Sequence, residues 1–338
     1  MIILVFLLFL LYIISLSKYY SHIGGGGEST LIPFNVGAVT PLKGLLALMV
    51  MFSHTVPSVN LGVLKELGNY GPVAVGMFFF ISGYGLLKSL LSKDDYLKHF
   101  LSKRFYKLLP PIIIVTLCFI PLRMLWQGES LVDLVNLLAQ GSTLSPNAWY
   151  VYAIILYYLM FYIIFKVVKR KPYALVVMTL FIVAYDIAVI RLGWDAYWFV
   201  SSHCFPLGMA YCYCEDSIKK LYTGKVRLMI YVVAMSILCY SGIGSYLGWP
   251  AWGSLIYYLI PLFVMPLMYT LSFGESPFLR FTGKISYEIY ILHGVFIYIG
   301  NEIIPHDIFF VLFVITASYI SSYGLHALCS SLYVSTKK

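Results

Sequence analysis

Long apolar runs recur along the chain, separated by short breaks rich in charge, glycine or proline. A helix that crosses a bilayer needs about 20 apolar residues, and the runs predict about eleven such helices. They fall at 2–20, 38–58, 71–92, 108–126, 148–168, 172–192, 197–214, 227–246, 253–273, 285–301 and 307–330. The runs are continuous, without the alternation over about ten residues that a membrane β-strand needs. The predicted fold is all-α, a polytopic transmembrane helical bundle. Residues 1–22 form a first helix that lacks a cationic leader and a small-residue cleavage site, and it reads as an uncleaved span. A linker over 23–35 contains Gly24 to Gly27, the main membrane domain covers 36–330, and a basic tail covers 331–338. Lys93 to Lys107 predicts a basic amphipathic helix lying on the inner membrane face, and Pro110 and Pro111 are expected to break the chain before the next span. No internal repeat is visible.

Composition excludes several function classes. The 338 residues are 61% hydrophobic and 11% charged, with mean hydropathy +0.86, against about 25% charged in a soluble domain. That excludes an ordinary cytosolic enzyme, a disordered chain and a nucleic-acid binder. The net charge of +9 has a topological explanation. With the N-terminus outside and the C-terminus in the cytoplasm, all but Lys65, Arg123 and Arg191 of the 23 Lys and Arg fall on the cytoplasmic side. These cations also meet anionic lipid headgroups, so membrane lipids are expected partners and nucleic acid is not. The six cysteines lie in or beside apolar runs, and the Cys212–Cys214 pair has no second motif, so no metal site is expected.

Ionisable groups inside spans are expensive and are therefore candidates for function. His54 follows Lys43 by eleven residues in KGLLALMVMFSH, a helical rise of roughly 16 Å. With Lys43 at the cytoplasmic boundary, His54 lies in the outer half of the membrane. There a neutral imidazole can accept a proton from a hydroxyl arriving from outside, or it can simply bond a neighbouring helix. GMFFFISGYGLL, residues 76–87, offers Ser82 and Gly83, where helices or a thin ligand can approach closely. Lys103, Arg104 and Lys107 can hold the phosphates of a nucleotide-containing donor or serve only as topology-setting cations. Asp186, His203 and His293 also fall within spans. Asp186 can orient a histidine and stabilise its cation, or make a packing hydrogen bond. His203 follows Ser201 and Ser202, precedes Pro206 and marks a broken helix. Glu288 is expected to pair with Lys284 at i, i+4, and His326 reads as structural. Trp149 and Tyr150, at the start of the fifth span, can stack on a sugar ring or join an interfacial aromatic belt.

Four segments together resemble the family-3 membrane acyltransferases, which O-acylate cell-surface glycans. They are Lys43-x10-His54, GMFFFISGYGLL, KRFYKLLPP and GKISYEIYILHGVF, in the family's order over residues 36–330. The resemblance implies a ten-span acyltransferase core, to which the first helix adds one. It implies cytoplasmic acetyl-CoA or another acyl-CoA as donor, a surface carbohydrate as acceptor and a bacterial inner membrane. His54 would be the catalytic base. Lys43 and Arg104 would hold the donor, and Ser286, Tyr290 and His293 would line the site. Two departures matter. Lys43 stands where the family often has Arg, and WYVYAIILYY lacks a Glu that many members carry there. An acidic partner for His54 would then be Asp186 or absent. Direct transfer is the expected mechanism, with an acyl-histidine intermediate as a variant. The rival readings are a glycan or lipid-linked precursor flippase and an acyl relay that needs a second enzyme.

Overall fold

The computed structural model describes residues 36–59, 71–221 and 276–335, and among these there is no β-strand. The helices are α1 (Val36–Thr55), α2 (Gly71–Ser92), α3 (Phe100–Gln127), α4 (Leu131–Ala139), α5 (Trp149–Val167) and α6 (Lys171–Arg191). They continue with α7 (Cys204–Tyr213), α8 (Glu215–Leu221), α9 (Pro277–Lys284), α10 (Ser286–Ile303) and α11 (Ile308–Ser335). Among the described residues six segments are long and apolar enough to cross a membrane: Val39–Ser58, Gly71–Ser92, Tyr96–Gln127, Trp149–Val167, Lys171–Arg191 and Ile308–Tyr333. The runs at 2–20, 227–246 and 253–273, and the Gly24 to Gly27 linker, lie outside the described residues.

The side-chain pattern explains why these helices assemble with apolar faces turned outward. On α6 the buried positions are Ala174, Met178, Ile182, Asp186 and Val189, one face at helical spacing. The opposite face exposes Val176, Leu180, Val183, Ile187 and Ile190. Such a stripe in water would be a large unpartnered patch, whereas in hydrocarbon it is solvated. Inside, Phe79, Phe80, Tyr157, Phe161 and Phe205 are fully buried and join α2, α5 and α7 in one aromatic core.

Glycines set the closest crossings. A Cβ on Gly83 would strike the Phe205 carbonyl, and one on Gly208 would strike the Phe80 carbonyl, so α2 and α7 meet backbone to backbone. Gly44 abuts the Leu279 carbonyl and Gly283 abuts the Thr40 carbonyl, which brings α1 against α9 in the same way. Small residues permit this approach in membranes. Helix α1 is thereby held among α2, α9 and α10.

Three expectations are corrected. Pro110 and Pro111 do not break the chain: α3 runs unbroken from Phe100 to Gln127 through both, and through Pro121, after a short 3-10 turn at Tyr96–His99. The basic stretch and the following span are one helix. A proline removes a backbone donor, but neighbouring helices can supply others. Tyr287 of α10 donates its hydroxyl to the Leu108 carbonyl at 2.7 Å in that turn. The predicted span at 197–214 is instead a 3-10 turn at Ala196–Trp198, a run of turns, and the ten-residue α7. Helix α4 was not anticipated. Its start is fixed by a capping box, with the Ser130 side chain accepting from the Asp133 amide and the Asp133 carboxylate accepting from the Ser130 amide. The exposed Asp133 carboxyl is held below the ordinary carboxylate range by those bonds to Ser130.

Candidate active site

His54 ends α1, and it is exposed, whereas His293 of α10 is completely buried (0%). Their rings stack with planes 4° apart, and His54 Nδ1 lies 2.8 Å from His293 Nε2. His293 Nδ1 lies 3.0 Å from the Ile289 carbonyl. A carbonyl only accepts, so Nδ1 of His293 carries the hydrogen and Nε2 of the neutral ring carries the lone pair. His54 then donates from its own Nδ1, and its Nε2 is left with a free lone pair; the tautomers follow from this network. That nitrogen faces the start of α2, since a Cβ on Gly71 would lie 3.9 Å from it. The Asn147 side-chain amide reaches His293 Nε2 as well, at 3.0 Å.

His54 opens on a cavity of about 230 Å³. Its walls come from Gly71, Pro72 and Val75 of α2, Thr143 and Asn147 ahead of α5, Trp149 of α5, Tyr197, Val200 and Ser201 ahead of α7, and Tyr290 of α10. The Tyr290 hydroxyl is buried and has no protein partner among the described residues. A buried donor without a partner is rare in a native structure, and Tyr290 is also one of the residues that line the cavity. The rim is anchored by Gly141 (φ 82), whose missing Cβ is replaced by the Trp194 ring and whose carbonyl accepts from Trp198 Nε1 at 2.8 Å. Arg123 joins Glu129 at 2.6 Å and reaches the Thr143 carbonyl, which ties the end of α3 to the same rim. Partial burial, then the Asp195 carboxylate, hold the Tyr197 phenol above its ordinary range.

At the other end of α1, Lys43 is half-buried within electrostatic range of Arg104 and Lys107. Arg104 donates to the Tyr96 hydroxyl at 3.1 Å and lies over the Phe100 and Tyr158 rings at 5.8 and 5.5 Å. Lys103 and Lys107 are exposed. No carboxylate pairs with these four cations among the described residues. A planar guanidinium such as that of Arg104 has the geometry to hold a phosphate or carboxylate in two hydrogen bonds.

The structure sorts the remaining expected residues into three groups. Trp149 and Tyr290 share the His54 cavity, and Tyr150 packs against Tyr290 with ring centroids 5.2 Å apart and planes tilted by 59°, and interacts with Ser82. Gly83 is a helix-packing position, and Ser286 donates to the Gly283 carbonyl at 3.0 Å in the joint between α9 and α10. Asp186 is not brought to His54. It accepts from Ser202 Oγ at 2.9 Å and pairs with His203 Nδ1 at 3.0 Å, with His203 on a separate groove lined by Thr179, Pro206, Leu207 and Ala210. Glu288 does not pair with Lys284 but with His326, at 2.8 Å. Lys284 ends α9 and Glu288 lies in α10, so the i, i+4 relation is interrupted at Ile285. Asn147, Thr143, Tyr197 and Ser201 were missed by sequence reasoning. Asn147 follows Pro146, a turn signal, but nothing local links it to His293.

Among the described residues no group of His, Cys, Asp or Glu could hold a metal ion. No curated protein and no solved structure matches the chain. The acyltransferase domain family does match, over residues 36–327, which is most of the chain and contains both ends of the site just described. The chain therefore belongs to the family-3 acyltransferases and is an integral-membrane acyltransferase.

Proposed function

We propose that the enzyme moves an acetyl group from cytoplasmic acetyl-CoA to a hydroxyl of a carbohydrate on the far side of a bacterial inner membrane, with His54 as general base. The observation that carries this reading is the free Nε2 lone pair of His54, held on a cavity wall by His293. The cation cluster at Lys43 stands roughly 16 Å away along the same helix. An extended pantetheine arm is about 15–20 Å long, from chain geometry. Phosphates bound by Lys43, Arg104, Lys107 and Lys103 therefore put the thioester near His54, with Ser82 beside the route.

The step balances as a direct transfer. The acceptor O–H proton passes to His54 Nε2 while the oxygen attacks the thioester carbonyl. The tetrahedral intermediate collapses, the C–S bond breaks, and the CoA thiolate takes the proton back from His54. Tyr290, a cavity-lining residue with an unpartnered hydroxyl, is assigned as a donor to the oxyanion. Trp149 and Tyr197 supply aromatic and polar wall for a sugar ring. Asp186 and His203 hold α6 to the turn before α7. The family match argues against the flippase reading.

The test is purified protein in sealed vesicles with acetyl-CoA and candidate glycans, together with mass spectrometry of surface glycans with and without the gene. An added mass of about 42 Da per modified sugar is expected. Glycans of unchanged mass, with no acetyl-CoA consumed, would overturn the proposal.

A further inference from the structure

We infer that Asn147 is a positioning residue for acyl transfer: its side-chain amide donates to His293 and thereby holds His54 in the tautomer that exposes a basic Nε2. This deepens the reading of His54 as general base and rests on it.

His293 Nε2 has two neighbours, His54 Nδ1 at 2.8 Å and Asn147 Nδ2 at 3.0 Å. His293 Nδ1 is already committed to the Ile289 carbonyl. Both neighbours therefore meet the lone pair at Nε2, and both must be donors. The amide of Asn147 turns its N–H2 toward the ring, and Asn147 also lines the cavity. A hydrogen on His293 Nε2 would face the amide hydrogens and the Nδ1 hydrogen of His54 together. The amide thus favours the His293 form that accepts. In the reaction, the proton taken by His54 stays on His54 and is returned to the leaving thiolate, instead of passing to the buried ring.

Two backbone features bring the amide there. Asn147 adopts a left-handed conformation (φ 61), which asparagine tolerates better than most residues. Sparsely populated backbone of this kind gathers at functional sites when the surroundings impose it. Beside His293 stands Gly294, and a Cβ there would lie 2.6 Å from both Asn147 Nδ2 and Pro146 Cβ. The loop before α5 reaches the histidine only because that side chain is missing.

Two variants separate the amide from the backbone. Asn147→Gly keeps the left-handed turn and removes the amide. Asn147→Asp keeps shape and turn but presents oxygens that only accept, which calls for a hydrogen on His293 Nε2 and expels the His54 Nδ1 hydrogen from its partner. The first readout is nitrogen-15 NMR of histidine-labelled, full-length protein in lipid nanodiscs without substrate, with signals assigned through His54→Gln and His293→Gln. The wild type is expected to show His54 protonated at Nδ1 and bare at Nε2, and Asn147→Asp is expected to show His293 protonated at Nε2. The second readout is the acyl-transfer rate. Asn147→Asp should lower kcat about 100-fold and Asn147→Gly about 10-fold, with the KM for acyl-CoA unchanged in both. Unaltered histidine signals in Asn147→Asp, or an Asp variant no slower than the Gly variant, would overturn the inference. A wild type with the expected signals that transfers no acyl group would overturn the general-base reading instead, and leave the hydrogen-bond assignment standing.

Discussion

Two of the histidine clusters among the described residues, those at His54 and His203, are built on opposite principles. At His54 every partner is neutral: a second imidazole, then an amide and a backbone carbonyl. At His203 the partner is a carboxylate, Asp186, shared with the Ser202 hydroxyl. The first cluster lines a cavity with Trp149 and Tyr290, and the second lines a groove among Thr179, Pro206, Leu207 and Ala210. A buried carboxylate must keep its partners, because removing one leaves an uncompensated charge at high cost. Such a pair is suited to fixing two elements together. A neutral pair can take up and release one proton while its hydrogen bonds persist. Asp186, expected either to orient a histidine or to make a packing hydrogen bond, is thus engaged with His203 and Ser202, and the uncharged network lies at the cavity.

The largest expected effect is at His54. His54→Gln should lower acyl transfer by about 10³-fold, in the range for loss of a general base, with thermal stability close to wild type because His54 is exposed. A stopped assay combined with thermal unfolding in detergent checks both halves. Next, Lys43→Ala combined with Arg104→Ala should raise the KM for acyl-CoA by about 10- to 100-fold, the equivalent of one or two charge-assisted hydrogen bonds. Lys103→Ala, at an exposed position, should change it by less than about threefold. Third, Asp186→Asn should reverse the pattern seen at His54, lowering stability by about 1–3 kcal/mol while turnover stays within about threefold of wild type. The smallest and sharpest test is a double-mutant cycle. Asp186 and His203 should couple by about 0.5–3 kcal/mol in stability, whereas Asp186 and His54 should add within about 0.5 kcal/mol. Coupling of Asp186 to His54 would erase the contrast between the clusters.

Much of the fold was legible because lipid imposes long apolar runs on any helix that crosses it. Six predicted spans coincide with helices long and apolar enough to cross. The misreadings came where tertiary partners replaced local rules. The prolines of α3 were expected to end a helix, but the helix continues through them, with Tyr287 of α10 packed on the same turn through its bond to the Leu108 carbonyl. The 197–214 run is apolar enough to suggest a span, yet Ser201 bonds the Pro72 carbonyl and Ser202 bonds Asp186, and these contacts stabilise turns instead. Within the site, Lys43 and His54 were readable because one helix fixes their separation, and Tyr290 and His293 because they lie three residues apart on α10. The bond from His54 to His293 spans 239 residues and that from Asn147 to His293 spans 146. No local pattern encodes such pairings. The missing Glu after Trp149 was visible in the sequence, but that an imidazole bonds His54 and an amide bonds that imidazole was not.

The central claim is that His54 takes a proton from an acceptor on one side of the membrane while the donor is held on the other. It is tested by sealing labelled acetyl-CoA inside vesicles on the Lys43 side, supplying the acceptor glycan only outside, and comparing wild type with His54→Gln. The account predicts labelled glycan from the wild type, about 10³-fold less from His54→Gln, and equal acetyl-CoA binding by the two proteins. Transfer by His54→Gln at the wild-type rate would contradict it.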